Sequence, residues 1–179
     1  MFTDAAQFLL RTAFDLLACA LFLRFWMQWV RVPFHNPFAQ FILKVTDFVV
    51  RPLRRVIPGF FGLDWASLLP FYAAELLSVL GSQWLQGYPF AVAGATVLPA
   101  FLLLALAVAL RLALYLLVGF VLLQAILSWV NPFSPHAPLF YALARPVLSP
   151  FQKLVPPIGG VDLTPLVALI VVQDRKSVV

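Results

Sequence analysis

Charge is what this sequence has least of. Of 179 residues only 11% are charged, with seven Asp+Glu against twelve Lys+Arg. A soluble domain is about 25% charged. Seven acids leave little to solvate a surface or to run acid–base chemistry, so an ordinary water-soluble enzyme is excluded. Cysteine occurs once, at Cys19, which rules out a disulfide scaffold. No Gly-x-x-x-x-Gly-Lys phosphate loop is present. His35 and His136 lie in proline-rich loops and, with Cys19, make no metal-ligand spacing. No Ser–His–Asp or Cys–His arrangement can be argued. The chain is therefore expected to be non-enzymatic and to need no metal or cofactor. The N-terminus lacks a basic n-region and a small-x-small cleavage site, so the first apolar stretch reads as retained rather than as a signal peptide.

Apolar residues are abundant, at 63% of the chain. That excludes a disordered chain and points to membrane spans of about 20 residues each. The net charge of +5 would suggest nucleic acid in a polar chain. In one so apolar, anionic lipid headgroups and the positive-inside bias explain it, and no nucleic-acid partner is expected.

The apolar stretches predict an all-α integral membrane fold with about four transmembrane helices. The first span runs from about Ala5 to Val30, the second from Trp65 to Leu85 with Pro70 and Glu75 inside it. The third runs from Pro99 to Val130, long enough at about 48 Å to tilt or project, and is taken as one helix. The fourth begins at Leu163 and stops at Val172. Between Pro37 and Pro52, Gln40, Lys44, Asp47 and Arg51 fall on one helical stripe, opposite Phe38, Phe41, Ile42, Val45, Phe48 and Val49. Such a helix suits the plane of a bilayer interface; packing on the protein's own core is the alternative. The tail Asp174–Val179 reads as the translation of a sequencing adapter, appended to a chain cut inside its fourth span.

Landmarks recur at a nearly constant offset. Arg11 and Arg111 are 100 residues apart, as are Trp29 and Trp129. Pro52, Arg55, Pro58, Gly62 and Asp64 match Pro150, Lys153, Pro156, Gly160 and Asp162, each 98 apart. This predicts a duplication. Residues 1–86 form one span–interfacial helix–span repeat, 87–98 an uncharged linker, 99–173 a second repeat with an incomplete last span, and 174–179 the appended tail. Arg31, Lys44, Arg51, Arg54, Arg55, Arg145 and Lys153 all lie in the two loops within repeats. The positive-inside rule puts those loops in the cytoplasm and the N-terminus outside. Were 99–130 two spans, the repeats would be inverted.

Two constellations carry chemistry. The first is the hinge Pro52, Arg54, Arg55, Pro58, Gly62 and Asp64, with its counterpart Pro150, Lys153, Pro156, Gly159, Gly160 and Asp162. Pro52 is expected to open a new short helix and Pro58 to end it. Gly62 is expected to allow a positive-φ turn, and Asp64 to cap the next helix. The hinge serves either to return the chain to the membrane or to dock a cytoplasmic or membrane protein. The second constellation is intramembrane: Arg11, Asp15, Glu75 and Arg111. Arg11 and Asp15 stand one turn apart, a spacing that permits an ion pair. The set is either a charged pathway or structural pairing between repeats. Trp26, Trp29, Trp65, Trp84 and Trp129 read as an interfacial belt.

Residues 51–58 (RPLRRVIP), Gly62-Leu63-Asp64 and residues 149–165 (SPFQKLVPPIGGVDLTP) resemble the signature of the YggT family. Residues 23–29 (LRFWMQW) and Asn36-Pro37-Phe38 resemble its bacterial members, and the resemblance extends over about residues 3–172. It implies a small, multi-pass protein of the bacterial inner membrane, with no established enzymatic activity. It also implies links to osmotic stress and ion uptake, to cell-division assembly and, in plastid relatives, to haem attachment. Trp65-Ala66-Ser67 stands where the second repeat has Leu163-Thr164-Pro165, and Arg54-Arg55 where it has Gln152-Lys153. These departures imply that the repeats are not equivalent. The expected role is a scaffold or assembly factor with a basic cytoplasmic face, among lipid, a protein partner or a second copy of itself. The alternative is a channel, transporter or regulatory subunit.

Overall fold

The computed structural model describes residues 2–32, 36–57, 62–90, 94–131, 134 and 137–152. Five α-helices form and no strand occurs among the described residues: α1 (Phe2–Trp29), α2 (Pro37–Val56), α3 (Trp65–Leu85), α4 (Leu98–Val130) and α5 (Ala137–Gln152). A 3₁₀ turn, Gly94–Val97, leads into α4.

The count of spans differs from the expected four. By length and composition, only α1 and α4 are long and apolar enough to cross a membrane. The α3 helix falls short because Glu75, Ser67, Ser78, Ser82 and Gln83 dilute its leucines. The expected fourth span, 163–172, lies outside the described residues. The third stretch is one uninterrupted helix of 33 residues.

The chain divides into two compact units, Met1–Ala113 and Leu114–Val179. In the first unit, α1 packs along α3, and α2 lies against both. The buried side of α3 is a stripe of mostly small residues: Ala66, Ser67, Pro70, Ala74, Ser78 and Ser82. Small side chains let helix backbones approach closely, the main source of helix affinity in lipid. At Gly81 the approach is tight: a Cβ there would come within 3.0 Å of Leu10 Cδ1. Toward the C-terminal half of α1 the seam becomes aromatic, with Phe22 and Phe71 rings 5.4 Å apart and Phe22 stacked on Trp26 at 5.8 Å. In the second unit, the C-terminal part of α4 buries Phe120, Val121, Gln124 and Ala125. There α5 buries Leu139, Leu143, Ala144 and Leu148, one helical stripe.

The α2 helix begins with Asn36 at its N-cap, the side chain accepting from the Phe38 N–H at 2.9 Å, and Pro37 in the first turn. It does not stop at Pro52, as the sequence suggests, but continues to Val56. Pro52 is exposed and, lacking an N–H, leaves the carbonyl one turn earlier without its helical donor.

Candidate functional site on the second helix and its hinge

The α2 helix has three faces rather than two. Ala39, Ile42, Thr46 and Val50 are buried against the protein. Phe38, Phe41, Val45 and Phe48 are exposed. Gln40, Lys44 and Arg51 are exposed on the remaining flank. The apolar positions of the sequence stripe therefore split: Ile42 points inward, while its neighbour Phe41 is 61% exposed. Both anticipated roles, packing on the protein and presenting an apolar surface, fall to one helix.

What docks α2 is a pair that sequence reasoning did not single out. Arg24, 4% exposed near the end of α1, places Nη1 2.7 Å from Asp47 Oδ1 and donates to Thr46 Oγ1 at 2.9 Å. Thr46 in turn donates to the Ile42 carbonyl at 2.6 Å. A signal was available: a charge inside an apolar span needs a partner, and Asp47 is the acid of the next helix.

The hinge places some predicted residues together. Gly62 adopts φ +74, the left-handed conformation that glycine enters without a Cβ clash. Asp64 sits at the N-cap position of α3, but its side chain makes no capping bond to the helix backbone. Its Oδ2 instead accepts from Arg54 Nη2 at 2.7 Å and from Ser67 Oγ at 2.6 Å. A guanidinium within reach outcompetes a backbone amide for a carboxylate, so the expected cap becomes an ion pair closing α2 onto the start of α3. Arg55 points outward and is exposed. Pro58 lies outside the described residues, as do Lys153, Pro156, Gly159, Gly160 and Asp162. Pro150 falls inside α5.

The second expected constellation is rearranged as well. Arg11 and Asp15 form no ion pair; Arg11 Nε donates to Ser82 Oγ on α3 at 3.0 Å. Helix packing offers that hydroxyl closer than the turn offers Asp15. Glu75 is 1% exposed, and neither carboxylate oxygen has a hydrogen-bond partner. Asp15 and Arg111 both lie close enough to act on its charge. Arg11 is thus tied to α3 through Ser82 and not to Asp15. No cluster of three or more His, Cys, Asp or Glu able to hold a metal occurs among the described residues. Of the expected tryptophan belt, Trp29, Trp84 and Trp129 are more than half exposed, but Trp26 is a core residue at 6%.

The sequence model of the CCB3/YggT family matches twice, over residues 3–85 and 103–179. The uncharacterized protein YggT of Escherichia coli (strain K12) is 37% identical over 168 residues, covering 93% of this chain and 85% of the relative. An uncharacterized protein of Vibrio alginolyticus is 39% identical over 172 residues, covering 95% and 90%. One of Pseudomonas aeruginosa is 37% identical over 173 residues, covering 94% and 85%. No solved structure matches.

Proposed function

The chain belongs to the CCB3/YggT family, and on that premise we propose that it is a non-enzymatic, multi-pass protein of the bacterial inner membrane that serves as a scaffold or assembly factor. The observation that carries this reading is α2. One flank is pinned to the protein through Arg24 and Asp47, leaving Phe38, Phe41, Val45 and Phe48 free to enter the headgroup–acyl boundary. Lys44, Arg51 and Arg55 border that apolar face. Each base near an anionic leaflet gains on the order of 1 kcal/mol. The result is a rigidly held, positively charged ledge on the cytoplasmic side, suited to anionic headgroups and to an acidic partner protein or a second copy of the chain.

In this reading α3 also crosses the membrane. It passes as an internal helix whose polar side, Ser67, Glu75, Ser78 and Ser82, is buried rather than shown to lipid. A duplicated architecture is supported by the two family matches. It is supported also by Arg24 and Gln124, 100 residues apart, both buried polar side chains in their helices.

Photo-crosslinkers placed at positions 51 and 55 test the scaffold. With the crosslinker at either position, discrete adducts with an acidic protein or a second copy are expected, and they should be lost when Lys44 and the remaining one of Arg51 and Arg55 become Gln. Ion flux in proteoliposomes should stay at background. One observation favours a second reading, a charge-conducting role: Glu75 is buried without a hydrogen-bond partner, within electrostatic reach of Asp15 and Arg111. Flux above background that falls in Glu75→Gln would move the assignment to that reading.

A further inference from the structure

A cleft of about 310 Å³ opens where the end of α1 meets the hinge before α3, lined by Gln28, Trp29, Arg54, Gly62, Leu63 and Asp64. It holds one fixed cation and one fixed anion, 2.7 Å apart. Neither is saturated. A guanidinium has five N–H donors, and the Arg54 side chain is 49% exposed. Among the described residues both hydrogen bonds to Asp64 fall on Oδ2, which leaves Oδ1 as an acceptor. Trp29, 51% exposed, stands at the wall with its ring held edge-on against Trp26 at 4.7 Å. Gly62 leaves the floor open, since a Cβ there would meet nothing within 4 Å.

A simple anion entering this cleft would meet the Asp64 carboxylate, and a simple cation would meet Arg54. Only a ligand carrying both signs finds a partner for each end. We propose that the cleft binds a zwitterionic phospholipid headgroup bearing a primary amine, with its phosphate on Arg54 and Gln28 and its ammonium between Asp64 and the face of Trp29. An arginine fork suits phosphate oxygens. An ammonium is drawn both to a carboxylate and to an indole face. Exchange of the internal ion pair for two intermolecular ones leaves no charge unpaired. A primary ammonium donates hydrogen bonds to Asp64, whereas a trimethylammonium has no N–H to donate, so ethanolamine is preferred to choline. The depth is consistent, because Trp29 ends α1 where interfacial tryptophans sit. The assignment rests on the membrane reading above and adds to it a site distinct from the basic ledge.

The test is titration of the detergent-purified chain with short-chain phosphatidylethanolamine, its N-methylated series, phosphatidylcholine and phosphatidylglycerol, read by native mass spectrometry. The expected preference for ethanolamine over choline is on the order of tenfold, falling stepwise with methylation. Asp64→Asn, which still accepts from Ser67, should level the two, and Asp64→Glu should restore the preference. Arg54→Gln should weaken both. Soluble phosphoethanolamine should compete with the lipid; binding that it cannot displace would mean that acyl chains carry the affinity. Equal affinity for ethanolamine and choline, or a preference for phosphatidylglycerol indifferent to Asp64→Asn, overturns the proposal. A chain that floats with vesicles but titrates flat across headgroups defeats only the cleft. A chain that floats with none defeats the membrane reading itself.

Discussion

Arg24 is 4% exposed, with Nη1 held by Asp47 and Thr46 and Nε buried without a partner. Asp47 is half exposed, with a side-chain exposure of 47%, so solvent weakens the pair from one side. Removing the acid still leaves a buried guanidinium uncompensated, a loss of about 2–3 kcal/mol. Removing the arginine strands a group that water can reach. Asp47→Asn should therefore lower the unfolding midpoint in micelles more than Arg24→Met does. The double variant should recover part of the Asp47→Asn loss. Equal single effects with simple additivity would show that the two residues do not act as a pair. The sequence placed Asp47 on the solvent stripe of α2, because helical periodicity knows only angles and not which neighbour stands at each angle. Asp64 shows the same limit. Its position before α3 was legible, but Arg54, ten residues away, claimed the carboxylate that the helix backbone was expected to use.

At the scale of the element, α2 is the segment whose pattern promised most and whose outcome differed most. Periodicity separated polar from apolar positions correctly. It could not separate Ile42 and Val50, which pack inward, from Phe41 and Phe48, which stay exposed, because adjacent angles both read as apolar. If the exposed phenylalanines enter the bilayer, their replacement should act on lipid and not on folding. Phe41→Ser with Phe48→Ser is expected to leave the unfolding midpoint within about 0.5 kcal/mol of the parent, as exposed sites do. The same variant should reduce quenching of a fluorophore at position 45 by brominated lipid. Ala39→Leu, on the face with no exposure, should do the reverse. Over-packing costs about 1–3 kcal/mol and should leave the lipid signal of a still-folded helix in place.

At the scale of the whole molecule the question is sidedness. Five bases flank or lie within α2 and its approaches, Arg31, Lys44, Arg51, Arg54 and Arg55, whereas the segment from Gln86 to Val97 has none. In a Cys19→Ser background, Lys44→Cys should react with a membrane-impermeant maleimide only when the cytoplasmic face is opened, and Gln86→Cys from the outside of intact cells. Labelling of both from one side would mean that α3 does not cross, and that its buried polar stripe serves packing alone. The same pair of probes separates an α3 that spans from one that lies beneath the interface, which length and composition leave at the margin.

Composition and periodicity were enough for the helical class, the apolar character of α1 and α4 and the polar stripe of α2, and one glycine for the turn at Gly62, while the doubled motif carried the family resemblance. All of these are readable because they depend on local properties or on a contiguous motif. Only the tertiary structure decided which charges meet: Arg24 with Asp47, Arg54 with Asp64, and Arg11 with Ser82 in place of Asp15. Partner choice among a few charges depends on which helices touch and at what height. For Arg11 and Ser82 that height is set along the seam of small residues between α1 and α3, whose register neither helix's own pattern specifies.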